Sequence, residues 1–247
     1  MQVDTGGATL NYEVSGDPSN PPLVLWHGAG CTLRMWDTVL EGLKESFFCI
    51  ACDIRGAGLS TVITDIPDQF TFEQYSQDLN LILKELEIEK IHIWSMAWGT
   101  RAAIAYCSLN PEKVISAVFS DASIGEADIS AQKEGIKKAL AAQEEMGIVR
   151  FDLPQGWNEH LNSETAQLSL IAASKFNLVD AIEGLDFPVM IMTGGFDPNL
   201  KSSKEIAVRL PSAELKVLEG VGHGSILQRP DLTLENFIEF HSFAGGS

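Results

Sequence analysis

Basic residues are scarce in this chain: 17 lysines and arginines stand against 34 aspartates and glutamates in 247 residues, a formal net charge of -17. That deficit removes the cationic footprint that nucleic acids and anionic membranes require, and neither is an expected partner. Cysteine is thin as well. Four are too few for a disulfide scaffold. Cys49 and Cys52 have C-x-x-C spacing, but they fall in the apolar run Phe47-Phe48-Cys49-Ile50-Ala51-Cys52, where a strand would point them to opposite faces and prevent a shared metal or bond. No apolar run approaches the ~18 residues of a membrane span. No basic-then-apolar segment precedes the polar opening Met1-Gln2-Val3-Asp4-Thr5, so the expected location is the cytoplasm. Metal-ligand spacing is also missing: His92, His160 and His241 are isolated, and neither a metal nor a cofactor is expected. What remains is a chain with 45% hydrophobic residues. A chain of this length buries roughly 70–75% of its unfolded surface, enough for one large core.

Strand-like and helix-like runs alternate almost throughout, the pattern of a mainly parallel sheet covered by helices on both faces. An alternating edge strand is predicted over 9–14, then continuous apolar strands over 23–26, 48–52, 91–94, 114–119, 189–192 and 215–218. Thr71 and Gln74 have capping-box spacing and should open a helix to about residue 86, with Tyr75, Leu79, Ile82, Leu83 and Leu86 as its buried stripe. Further helices are predicted over 96–109, 203–210 and 232–243. Residues 122–185 interrupt the rhythm. Ile136, Leu140 and Met146 suit one amphipathic helix and Leu168, Ile171 and Ala172 a second, so this segment is expected to be a helical cap inserted between core segments 1–121 and 186–247. The terminal Gly245-Gly246-Ser247 reads as a tail.

The segment Ile91-His92-Ile93-Trp94-Ser95-Met96-Ala97-Trp98-Gly99 runs from a buried strand through a serine into a helix. A sharp turn there would lift Ser95 above the sheet beside a helix N-terminus, as in a nucleophile elbow; the plainer reading is a helix cap. Asp197 follows one strand in the turn Thr193-Gly194-Gly195-Phe196-Asp197-Pro198, and His223 follows the next in Glu219-Gly220-Val221-Gly222-His223-Gly224. Catalytic groups of open α/β sheets collect at those strand ends. Ser95, Asp197 and His223 therefore stand in the order nucleophile, acid, base, with Asp121 a rival acid after the strand over 114–119.

With these placements the sequence resembles the α/β-hydrolase superfamily over nearly its whole length. His27-Gly28-Ala29-Gly30 is similar to that family's oxyanion loop, and Asp53-Ile54-Arg55-Gly56-Ala57-Gly58-Leu59-Ser60 to its D-x-R-G-x-G-x-S turn. Met35-Trp36-Asp37 and the short insert resemble the small carboxylesterases and enol-lactonases. The resemblance implies an α/β fold with a mostly parallel eight-stranded sheet. It implies that Ser95 attacks an acyl carbonyl, that His223 moves the proton, that Asp197 orients His223, and that the backbone N–H groups of Ala29 and Met96 hold the oxyanion. The elbow departs from G-x-S-x-G at Ile93 and at Trp98, where small residues are usual. Gly28-Ala29-Gly30 lacks the third glycine of a dinucleotide fingerprint, Leu33 standing there. Asp53, Arg55 and His27 read as structural, Cys31 as a pocket-side residue, and Trp26, Trp94 and Trp98 as core or as walls of an acyl pocket.

The expected activity is hydrolysis of a small to medium carboxylic ester or lactone through an acyl-enzyme. The net charge of -17 disfavours anionic substrates and points to a neutral one. Cleavage of a carbon–carbon bond on the same fold is an alternative, as is a ligand-binding or sensing protein with little turnover, which Ile93 and Trp98 favour.

Overall fold

A computed structural model gives the structure of the chain and describes residues 1–63, 69–170, 175–210 and 212–244. Its centre is a sheet built from β1 (Gln2–Asp4), β2 (Ala8–Ser15), β3 (Pro22–Trp26), β4 (Phe48–Cys52), β5 (Thr61–Val62), β6 (Ile91–Met96), β7 (Val114–Ser120), β8 (Val189–Gly194) and β9 (Ala213–Leu218). The order is β1-β2-β4-β3-β6-β7-β8-β9, with β5 paired to β2. Every pair from β4 to β9 is parallel, while β2 runs antiparallel to its neighbours. Nine strands stand among the described residues where eight were expected. Seven of them answer to the strands read from the apolar pattern, and the two short edge pieces β1 and β5, too short to show a period, make up the rest.

The helices are α1 (Asp37–Leu43), α2 (Phe72–Glu85), α3 (Trp98–Leu109), α4 (Ile129–Glu145), α5 (Ser163–Leu168), α6 (Leu178–Glu183), α7 (Leu200–Arg209), α8 (Ser225–Gln228) and α9 (Pro230–Ala244). α2 starts as its capping spacing requires, with the Gln74 N–H donating to Thr71 Oγ1 at 3.1 Å. The strands are apolar on both sides because two cores form, one on each face of the sheet. Ile91 and Ile93 of β6 join Tyr75, Leu79 and Ile104 on one face, while Trp94 and Met96 join Trp36, Val39 and Phe237 on the other. Cys49 and Cys52 divide between the same two cores.

Between β7 and β8 lie α4, α5 and α6. The last of these packs against α3 and α7, so the end of the predicted insert belongs to the helical layer of the core. Leu168 closes α5; Ile171 and Ala172, also read as helical, lie outside the described residues, as does the terminal Gly245-Gly246-Ser247. The D-x-R-G turn is held from within. Asp53 accepts hydrogen bonds from Asn11 Nδ2, Leu33 N and Leu59 N, and Arg55 forms a two-point ion pair with Asp78 at 2.6 and 2.9 Å, both side chains buried. The carboxyl ends of β3, β6, β7, β8 and β9 open on one side of the sheet, where residues of α4 and of the segment from 157 to 170 border the same cavity.

Candidate active site

The strand β6 continues two residues beyond its predicted end and corrects the reading of Ser95. Ser95 is a strand residue in register with Trp26 of β3 and Phe119 of β7. By strand alternation it shares a face with Ile91 and Ile93, under α3. Its side chain is fully buried, and Oγ faces the Val118 carbonyl at 3.5 Å. It does not line the cavity at the strand ends. The structure therefore places Ser95 inside the strand, away from the turn, the helix cap position and the cavity where the sequence reading expected it.

The residue at the turn is Ala97. Its φ of 52° and ψ of -115° fall in a region that costs an L-residue with a Cβ on the order of 1–3 kcal/mol. That conformation is fixed on both sides: the Ala97 N–H donates to Ser120 O at 2.8 Å, and the Ala97 carbonyl accepts from Thr100 N and Oγ1 at 3.0 and 2.6 Å. α3 leaves the turn so close to β3 that a Cβ on Gly99 would stand 2.3 Å from the His27 carbonyl oxygen. Ser95, Ala97 and Gly99 thus fill the three alternate positions of G-x-S-x-G, with alanine at the centre. The sequence signal for this placement is the run of small residues at alternate positions, Ser95, Ala97 and Gly99.

The amide expected at Met96 shifts by the same step. Met96 is the last strand residue, opposite Ser120, and its amide is not the one that follows the turn. Trp98 is that residue, and as the first of α3 its N–H has no partner within the helix. Ala29, after β3, lines the same cavity.

Asp197 and His223 meet. His223 Nδ1 lies 2.9 Å from Asp197 Oδ2, whose other oxygen accepts from Asn199 N at 2.9 Å. A carboxylate can only accept, so Nδ1 carries the proton and Nε2 is left as an acceptor. Asp121 stands behind this pair. Its Oδ2 accepts from Gly224 N at 3.0 Å and Ser225 N at 2.7 Å, which ties down the loop that carries His223. Burial, and then the Asp197 charge, push the Asp121 carboxyl well above the ordinary carboxylate range. For His223, burial opposes protonation, but the Asp197 hydrogen bond and the charges of Asp121 and Asp197 outweigh it and raise the imidazole pKa. Potential metal donors of Asp121, Asp197 and His223 lie within 4.8 Å of one another, yet an ion there would have to break the Asp197–His223 bond.

A cavity of about 440 Å³ spans these elements, lined by Ala29, Met96, Ala97, Trp98 and His223 below and by Ile129, Ile136, Trp157 and Leu170 from the cap. Cys31 lines it with a thiol that burial pushes up to about 12. Trp26 packs on Tyr106, and Trp94 stacks on Phe237 and donates to Ser120 Oγ, both as core residues; Trp98 packs on Phe72 and Tyr75 and also borders the cavity.

Residues 21–168, more than half of the chain, match the sequence family described as the alpha/beta hydrolase fold. The chain belongs to the α/β-hydrolase fold family. Among curated relatives, this α/β-hydrolase is 30% identical to a proline iminopeptidase of Lactobacillus helveticus over 157 residues, 62% of this chain and 53% of that one. It thus spans about half the length of the iminopeptidases it matches. It is 20% identical to a 3-oxoadipate enol-lactonase of Acinetobacter baylyi, over 97% of this chain and 96% of the relative. In structure it superposes on the enol-lactonase from Burkholderia xenovorans LB400 with a TM-score of 0.81 at 17% identity, covering 98% and 100% of the two chains, a likeness of fold. No described helix of this α/β-hydrolase is long and apolar enough to cross a membrane.

Proposed function

We propose that this α/β-hydrolase binds a small carbonyl compound, an ester or lactone, beneath its cap and hydrolyses it without an acyl-enzyme. In this reading His223, oriented by Asp197, removes a proton from water as that water attacks the carbonyl; the tetrahedral intermediate then collapses to the acid, its ester C–O bond breaks, and His223 returns the proton to the leaving alkoxide. The backbone N–H groups of Ala29 and Trp98 hold the developing oxyanion. The observation that carries the proposal is Ala97 at the strained turn. The methyl group cannot be a nucleophile, so the covalent route expected with Ser95 lacks its first step, while the base, the donors and the cavity remain. The methyl in place of a hydroxymethyl also leaves space for the attacking water.

The second reading, a ligand-binding protein with little turnover, is favoured by the same alanine. Two measurements separate the readings. A fluorophosphonate should fail to label the protein, because no nucleophile faces the oxyanion donors; a label on Ser95 would restore the covalent route. Hydrolysis of 4-nitrophenyl acetate should then proceed without a burst and be lost in His223→Ala. Hydrolysis indifferent to His223 would leave only the binding role.

A further inference from the structure

Arg101 is the one side chain with a permanent charge among the described residues lining the cavity, and no acidic residue lines it with Arg101. It lies on α3 four residues beyond Ala97, about one helical turn and ~6 Å along the same side of the helix. Its guanidinium hydrogen-bonds the Gly125 carbonyl, and no carboxylate among the described residues pairs with it. In a chain with 34 acidic residues and 17 basic ones, a half-buried arginine without an acidic partner is unusual. Burial disfavours its charged form and lowers its pKa. The carbonyl contact holds one part of the planar fork and leaves other N–H donors available, and such a fork suits a carboxylate in two-point geometry. Ser123, Gln132 and Asn199 add polar lining to the cavity around an otherwise apolar body.

We infer that Arg101 is an anion subsite of the cavity, and that the ligand carries a carboxylate in addition to the carbonyl that sits at the Ala97 turn. A single cation in a mostly apolar cavity fits a monoanion better than a phosphate dianion. The inference rests on reading the cavity as the ligand site but not on turnover.

The test is therefore equilibrium binding, followed by ligand-detected NMR, with 5-oxohexanoate and its neutral isostere 5-oxohexanamide as probes. The acid should bind the wild-type protein roughly ten- to a hundred-fold more tightly than the amide, the range of a charge-assisted hydrogen-bonded pair. Arg101→Gln should bring that ratio close to one, and Arg101→Lys should restore part of it. Equal binding of acid and amide, no detectable binding of the acid, or equal weakening of both probes in Arg101→Gln would overturn the assignment. The last result would make Arg101 a brace for the Gly125 loop. Loss of His223-dependent ester hydrolysis alongside a retained acid preference would instead overturn the general-base reading and leave the subsite standing.

Discussion

At the turn above β6 a single methyl group decides which chemistry the site can perform. Ala97 holds the strained conformation and the position over the cavity, whereas Ser95 holds the only hydroxyl of the segment Ile93 to Gly99 and faces the sheet interior. Ser95→Ala should therefore leave hydrolysis within about twofold of wild type, as substitutions away from a site usually do. Ala97→Ser should create a nucleophile within an existing turn. It is expected to bind fluorophosphonate covalently and to show a burst, with turnover raised by at least ~10-fold, since the assembled triad works far better than its separate parts. An unlabelled Ala97→Ser protein that retains its fold would count against the position of the turn. Asp121 gives a second test. Its charge helps to raise the His223 pKa, and a general base must be deprotonated, so activity should fall as pH drops through a midpoint above the ordinary imidazole value of about 6.5. Asp121→Asn should lower that midpoint and widen the active range toward acid. A pH profile that does not move would show that Asp121 acts only by holding the Gly224 and Ser225 amides.

At the level of elements, much of the architecture was legible because it rests on continuous apolar strands and on turn residues. The Thr71 cap, the positions of the parallel strands, and Asp197 and His223 in turns after adjacent strands all follow from such signals. The error at Ser95 has a physical origin. A polar residue that favours helix caps reads as a strand boundary, but one small hydroxyl is tolerated in a buried strand when a carbonyl such as that of Val118 lies within reach. Two residues of strand length then move the turn from Ser95 to Ala97 and the amide after it from Met96 to Trp98. The packing of α9 on the sheet was not legible at all, because it depends on a meeting of distant side chains. His92 Nδ1 and His241 Nε2 both contact Ser116 Oγ, at 2.8 and 3.2 Å, beside Phe47. Burial, and then His241, push His92 down to about 4, and burial lowers His241. The unfolded chain takes up these protons near pH 6.5 and the folded one only at lower pH. Stability is thus whole above about pH 6.5 and is lost as pH falls toward 4, by ~2 kcal/mol for His92 after allowance for its partial exposure. Denaturant titrations from pH 7 to 4 should show that loss, and His92→Asn should remove its share of the slope. A variant with an unchanged slope would place the acid sensitivity elsewhere.

For the whole molecule, the acidic balance and Arg101 act on an anionic ligand at different ranges. A charge of -17 spread over a sphere of radius ~20 Å repels an approaching carboxylate by roughly 2 kcal/mol at 0.01 M salt and roughly 1 kcal/mol at 0.15 M, where the screening length has shrunk from about 30 to about 8 Å. The contact at Arg101 is short and partly removed from solvent, so the same salt weakens it less. The two effects therefore predict an inverted salt dependence. Binding of 5-oxohexanoate should tighten by up to ~5-fold between those ionic strengths, while the amide should show no trend. In Arg101→Gln the acid should still gain from added salt, because the long-range repulsion remains, but from a weaker starting affinity. An ordinary salt-induced weakening of acid binding in the wild-type protein would mean that the local cation outweighs the global field. The net charge would then have little bearing on which ligands the cavity admits.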